Sequence, residues 1–190
     1  MEILFEPLSL EHDKENFDCG DDELNLFLKT QAGQRQKKHN AITHVAVTHQ
    51  MSIRPKIIYG YYTLSNSSLE YHWLPPLEAK KNSPKEKVPA LKLGRLARNK
   101  LYTKPGFGEV ILMDVFKRAI DLSEEVGFYL IDVDVLNPQL VSFYKRYGFV
   151  EFKDQKLHLF ITMATVKKLF KVSAWRINEL REVLIKLHGR

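Results

Sequence analysis

With 190 residues, 44% of them hydrophobic, one cysteine (Cys19) and no run near the roughly 18 apolar residues of a membrane span, the chain reads as one soluble globular domain; a transmembrane helix, an internal disulfide and a cysteine-held metal cluster are excluded. The acidic opening MEILFEPLSLEHDKENFD has no basic-then-apolar leader, so the expected location is the cytoplasm, without a membrane partner. The formal net charge of +6 is segregated, with −7 over residues 1–30, +11 over residues 31–118 and +2 over residues 119–190, a pattern that either a polyanionic partner or a solvated basic surface explains.

Residues 22–38, DELNLFLKTQAGQRQKK, place Leu24, Phe27 and Leu28 at helical spacing, with Asp21 or Asp22 as cap. Residues 42–48 (ITHVAVT) and 57–64 (IIYGYYTL) are rich in β-branched and aromatic side chains and read as strands, with Thr48 to Lys56 as a hairpin connection. Residues 72–90 are rich in proline and lysine and predict a mobile basic excursion. A strand from Leu91 to Arg98 leads into the loop KLYTKPGFG. From Glu109 to Val126, Ile111, Leu112, Val115, Ala119, Leu122 and Val126 form one helical face, stopped by Gly127. Residues 128–136 (FYLIDVDVL) predict a strand, after which Asn137-Pro138 opens a short helix closed by Gly148. Two short strands over 149–153 and 157–163 follow, then a tail from Ser173 with Ile177, Leu180, Val183, Leu184 and Leu187 on one helical face. Helices inserted between the strands of one sheet indicate an α/β or α+β domain.

Two segments could carry chemistry. Gly106 and Gly108 sit just before a helix, whose first N–H groups are unpaired and carry partial positive charge. Glycine lets a phosphate approach that backbone, and Arg98, Lys100 and Lys104 add cations. The loop is not a Walker loop and lacks the third glycine of a dinucleotide fingerprint. In the second segment Leu140, Phe143, Tyr144 and Tyr147 fall at i, i+3, i+4 and i+7, the spacing of a buried helix face. Phe143 and Tyr147 are expected in the core, whereas Tyr144 can turn its hydroxyl into a cleft and protonate a basic leaving group. Cys19 has no cationic neighbour to make a thiolate. His39 and His44 complete no metal pattern, and Asp132 and Asp134 are expected beside a basic sheet edge rather than as paired acids.

Taken together, LGRLARNKLYTKPGFGEVIL (residues 93–112) and NPQLVSFYKRYGF (residues 137–149) resemble the coenzyme A loop and the Asn…Tyr…Gly-Phe helix of the GNAT acetyltransferase superfamily. FDCGDDELNLFL near the start, THVAV, the GYYTLS–SSLEY run and LGRLA further resemble the GNAT toxins of type II toxin–antitoxin pairs, over roughly residues 15–168. The resemblance implies an α/β (α+β) GNAT fold: a central mixed, mostly antiparallel sheet, splayed between two adjacent strands and flanked by helices. It implies a GNAT domain over residues 1–168, followed over 169–190 by an amphipathic helix packed on the domain or on a partner subunit. The implied reaction uses acetyl-CoA and no metal to acetylate the α-amine of aminoacyl-tRNA, blocking translation. The implied state is a homodimer neutralised by a ribbon-helix-helix antitoxin.

In that frame the pantetheine pairs with the backbone of Leu96, Ala97 and Arg98, whose N–H groups polarise the thioester carbonyl. The pyrophosphate sits on the backbone N–H groups of residues 104–109 (Lys104, Pro105, Gly106, Phe107, Gly108 and Glu109), and Asn137 hydrogen-bonds the pantetheine. The amine attacks directly, and Tyr144 protonates the leaving thiolate. Water or Glu70 takes the amine proton. The chain departs from the family pattern at Thr103, where Gln or Arg is usual, at Pro105, which removes one N–H, and at Arg98, which replaces an apolar residue. A GNAT enzyme acting on a protein N-terminus or a small amine, and a catalytically silent GNAT-fold protein that binds RNA or a regulator, are the alternatives.

Overall fold

The computed structural model describes residues 3–48, 55–102 and 105–170. In chain order the strands are β1 (Ile3–Pro7), β2 (His12–Asp13), β3 (Ile42–Thr48), β4 (Lys56–Ile57), β5 (Gly60–Leu69), β6 (Val88–Arg98), β7 (Leu130–Asp134), β8 (Val150–Phe152) and β9 (Gln155–Thr162). The helices are α1 (Asp22–Leu26), α2 (Ala32–Lys37), α3 (Pro76–Ala79), α4 (Phe107–Ser123) and α5 (Val141–Arg146), and residues 163–170 are also helical. Seven strands form one sheet in the order β1-β3-β5-β6-β7-β9-β8, and β2 pairs β4 apart from it.

Within the large sheet every neighbouring pair is antiparallel except β6 and β7. Parallel neighbours need a long crossover, and α4 supplies it. Ile111, Leu112, Val115, Phe116 and Ala119 of α4 are fully buried against Leu91, Leu93, Ile131 and Val133 on one face of the sheet. On the opposite face two separate apolar clusters form. One joins Phe27, Leu28 and Ala32 to Val45, Val47, Tyr61 and Ala97; the other joins Leu74 to Val88, Ala90, Leu130 and Phe160.

The first of these clusters explains a local irregularity. Asp21 caps α1 by accepting from Leu24 N–H, and Phe27–Gln31 is then wound as a π-helix before α2. The wider turn brings Phe27 and Ala32, five residues apart, onto the same buried face.

Several expectations are corrected. The edge strand β1 was not foreseen, and the strand expected from Leu91 begins at Val88. The segment expected to be a mobile excursion is organised: Tyr71–Trp73 forms a 3-10 turn, α3 follows, Leu74 is buried, and Trp73 packs edge-on against Phe152 and His158. Proline set the local turns here, while tertiary burial of two large apolar side chains fixed their position. Helix α4 starts at Phe107 rather than Glu109, and Leu122 and Val126 at its far end are exposed. The boundary drawn at residue 168 falls inside the helical residues 163–170, which pack Met163 and Val166 into the core. The apolar face expected from Ser173 onward, and most of the expected hairpin connection, lie outside the described residues.

Candidate active site

The pairing of β6 with β7 stops at Leu93 and Val133, although β6 continues to Arg98. A bulge explains the divergence. Thr63 pairs Arg95 and Leu64 pairs Leu93, so Gly94 has no partner on β5. An extra residue of this kind increases the local twist and bends the strand away. A Cβ at residue 94 would meet Thr63 Oγ1 at 2.9 Å, so the close approach also requires glycine.

The splay opens a cavity of about 410 Å³. Leu96, Ala97 and Arg98 of β6, Gly108 of α4, Asn137 and Tyr144 all line it, so six of the predicted site residues converge. Beyond Leu93 the β6 edge facing β7 is free of ladder bonds, leaving backbone groups for an extended ligand.

At the start of α4, Gly106 is the N-cap, with φ +82 and no side-chain capping bond. No heavy atom lies within 4 Å of the place a Cβ would take there, so the space before the helix is open. The first intrahelical bond runs from Val110 N–H to Gly106 C=O, which leaves the N–H groups of Phe107, Gly108 and Glu109 aimed out of the helix end. Such an end suits a pyrophosphate. The side chains of two predicted members turn elsewhere, while the expectation concerned their backbone N–H groups. The Phe107 side chain is 2% exposed and stacks on Tyr102 at 4.0 Å, so only its backbone faces the cradle. Glu109 accepts a hydrogen bond from the Tyr147 hydroxyl. Pro105, Gly106, Phe107 and Glu109 stand outside the cavity lining, and Thr103 and Lys104 lie outside the described residues.

The connecting loop is pinned by Arg98, one of the expected site residues, and by Asn99, which was not foreseen. Arg98 donates to Tyr102 C=O at 3.1 Å. Buried Asn99 donates to Ile58 C=O at 2.8 Å and accepts from Leu101 N–H at 2.9 Å. Asn137 accepts from Gln139 N–H at 2.9 Å, capping the turn before α5 and leaving its amide N–H groups for a ligand.

Tyr144 is 6% exposed, between Phe143 and Phe149, with ring centroids 5.1 and 5.3 Å away. Its hydroxyl has no hydrogen-bond partner among the described residues, and burial pushes its pKa up, so it stays protonated near neutrality. Phe143 and Tyr147, expected in the core, are half-buried. Glu70 is removed from consideration as the base: it pairs with Lys87 at 3.2 Å and does not line the cavity. Cys19 does line it, but its thiol donates to Asn25 Oδ1 and burial raises its pKa. Lys100, expected as a cation near the loop, also lines the cavity; Arg95 and Asp134 line it too and were missed as site residues, and the glycine interrupting the strand LKLGRLAR was the available signal of a bulge.

A second cavity, of about 670 Å³, contains His39, His44 and Arg118 but none of the predicted site residues. Among the described residues no group of three His, Cys, Asp or Glu could hold a metal ion, and no helix is long and apolar enough to cross a membrane.

A seven-stranded, mostly antiparallel sheet, splayed at its one parallel pair beside a helix N-terminus, is the GNAT acetyltransferase fold. The chain resembles the tRNA-acetylating toxins within that fold. No family model matches it. It is 25% identical over 174 residues to a protein of Sinorhizobium fredii named a probable toxin TacT, covering 87% of this chain and 94% of the relative. A tRNA-acetylating toxin of Mycobacterium tuberculosis is 28% identical over 112 residues, covering 59% of this chain and 66% of the relative. Among solved structures, a tyrosine-to-phenylalanine mutant of KacT superposes with a TM-score of 0.81 at 29% identity, covering 89% of this chain and 99% of that one. AtaT complexed with acetyl-methionyl-tRNA gives 0.80 at 27% identity, with the same coverage. AtaTR bound with acetyl-CoA gives 0.74 at 25% identity, covering 88% and 98%.

Proposed function

We infer that this chain is an acetyl-CoA-dependent N-acetyltransferase that acetylates the α-amine of aminoacyl-tRNA by direct transfer, and so blocks translation as a toxin. The observation that carries this reading is the cleft that runs between the open end of α4 and Tyr144, in a chain similar over most of its length to a probable toxin TacT and to AtaT, whose solved complex holds acetyl-methionyl-tRNA.

Acetyl-CoA supplies an acyl thioester with a good leaving group. The N–H groups of Phe107, Gly108 and Glu109 would hold its pyrophosphate, with Gly106 leaving room for it. The unpaired backbone edge of Leu96–Arg98 and the amide of Asn137 would hold the pantetheine arm. Backbone N–H groups on this edge stabilise negative charge as it develops on the carbonyl oxygen. Tyr144 holds a proton at its hydroxyl and delivers it to the departing sulfur. The net +11 of residues 31–118 suits an RNA acceptor, whose phosphates favour a basic surface. A homodimer in the cytoplasm, neutralised by a ribbon-helix-helix antitoxin, completes the reading and rests on the family resemblance.

The test is incubation with labelled acetyl-CoA and total aminoacyl-tRNA. Label is expected on the aminoacyl end of the RNA. Label confined to protein or small amines overturns the tRNA assignment, and absence of transfer to any amine overturns the enzymatic one.

A further inference from the structure

The sheet face that carries the two apolar clusters has a charged patch between them. Lys92 of β6 pairs in register with Asp132 of β7, one step before the last pair, Leu93 and Val133, at which the strands part. Asp134, two residues on, shares that face and lines the cavity. His158 lies opposite Asp134 on β9. Lys92 Nζ donates to Asp132 Oδ2 at 2.8 Å and to Asp134 Oδ2 at 2.6 Å. His158 Nε2 lies 2.9 Å from Asp132 Oδ2 and 3.6 Å from Asp134 Oδ1. Trp73 and Phe152 pack against the His158 ring and hold it in place.

A structural role alone leaves two facts unexplained. Lys92 and His158 both reach Asp132 Oδ2, while Asp134 Oδ1 accepts no hydrogen bond among the described residues, with His158 Nε2 3.6 Å away. Asp132 is 0% exposed and its Oδ1 has no hydrogen-bond partner, an arrangement that disfavours a purely structural network. Asp134 lines the cleft, and a carboxylate there disfavours a phosphate but suits an amine or ammonium group. Asp134, with its side chain 59% exposed, is the member that can meet one.

We propose that Asp134, held by Lys92 and by the His158–Asp132 pair, receives the acceptor amine on this face of the splay and takes its proton during transfer. This rests on the acetyltransferase reading above. An α-amine has a pKa of roughly 8, so a usable fraction is neutral near pH 7.5 without enzymatic help. Asp134 accepts a hydrogen bond from that amine and directs its lone pair at the thioester carbonyl. As the C–N bond forms, the nitrogen becomes positive and its N–H far more acidic, so a carboxylate can take the proton. The C–S bond breaks with its electron pair on sulfur, which takes the Tyr144 proton. Asp134 then returns its proton to water and Tyr144 regains one, giving the N-acetyl product and free thiol. Asp132 and His158 are positioning residues that act through Asp134.

The titratable and charged groups around Asp134 and its cavity are Lys92, Arg95 and Arg98 from β6, Lys100 after it, Asp132 from β7, His158 from β9, Asp21 and Cys19 ahead of α1, and Tyr144 from α5. The experiment compares the full-length wild type with Asp134→Asn and Asp134→Glu, using aminoacyl-tRNA and an aminoacyl methyl ester as acceptors between pH 6.5 and 9. Stabilisation by acetyl-CoA is measured in parallel as the check on folding. Asp134→Asn is expected to lose roughly 10²-fold in turnover at pH 7 with acetyl-CoA stabilisation intact. That deficit narrows toward pH 9, where solvent removes the proton unaided, and Asp134→Glu recovers part of the rate. An Asp134→Asn variant within twofold of wild type at every pH overturns the proposal, as does a deficit that does not change with pH. An Asp134→Asn variant that loses acetyl-CoA stabilisation along with turnover also overturns it, by making Asp134 a structural residue. If the wild type acetylates neither acceptor, the function reading falls and takes this one with it.

Discussion

Tyr144→Phe separates catalysis from architecture. The substitution removes one hydroxyl from a ring that is otherwise packed between Phe143 and Phe149. That hydroxyl bonds no described residue, so no protein partner is left unsatisfied when it goes. The folded state should therefore change by no more than about 0.5 kcal/mol. A general acid is worth roughly 10²- to 10⁴-fold in rate, or about 3–5 kcal/mol of barrier at 1.36 kcal/mol per tenfold. The expected variant melts with the wild type, is still stabilised by acetyl-CoA, and turns over at least 10²-fold more slowly. Single-turnover transfer from labelled acetyl-CoA, set beside urea titrations of both proteins, measures the two effects. Wild-type turnover in the variant would remove Tyr144 from the chemistry. A loss of several kcal/mol of stability would mean that its hydroxyl is structural and the cleft assignment mistaken.

Gly106→Ala should weaken acetyl-CoA binding, because φ +82 costs an L-residue about 1–2 kcal/mol and the Cβ enters the open space before α4. Acetyl-CoA at 100 times its dissociation constant stabilises by about 2.7 kcal/mol, and a tenfold loss of affinity removes about 1.4 kcal/mol of that, readable in paired melting curves. Asn137→Ala should cost about 1 kcal/mol of stability through the lost cap, and should also raise the dissociation constant for acetyl-CoA; isothermal titration beside urea melts separates the two. His44 is buried against Tyr62, and burial is the main cause that lowers its pKa from 6.5 to about 4. The unfolded chain thus binds the His44 proton more tightly than the fold does. Stability is full above pH 6.5 and falls by about 3 kcal/mol as pH drops toward 4, at 1.36 kcal/mol per pKa unit. Urea titrations at pH 7 and pH 4.5 should differ accordingly, and His44→Phe should shrink the difference.

What the sequence disclosed was local. Gly106 before α4, and Asn137-Pro138 before α5, are start signals whose chemistry acts within a few residues, and both positions are where the spacing put them. The strands with β-branched runs were equally legible. β1 was not, because Ile3–Pro7 is a short edge strand whose burial does not alternate and whose last residue is proline. Phe107 was legible only as a backbone N–H beside two glycines; the burial of its side chain on Tyr102 depends on a loop that Arg98 and Asn99 close. The Lys92–Asp132 contact joins residues 40 apart through a parallel register, and no spacing in the chain encodes that. Asp132 and Asp134 could be seen to share a face, but not that the strands part beside them.

The cleft follows from a conflict inside the sheet. Seven neighbouring strands could close into an unbroken antiparallel ladder, but the α4 crossover forces β6 and β7 to run parallel. A parallel pair that stayed in register to Arg98 would leave no room for a ligand. The Gly94 bulge ends that register after Leu93, so β6 keeps its hold on β5 while its other edge turns free. The same event fixes both sides of the chemistry. On one side the freed edge leads to the open N-terminus of α4, built for an anion. On the other, Lys92, Asp132, Asp134 and His158 are left at the vertex, where the exposed carboxylate of Asp134 favours a cation. Phosphate at one end and amine at the other are the two charges that an acyl transfer from a coenzyme A thioester to an amine must bring together.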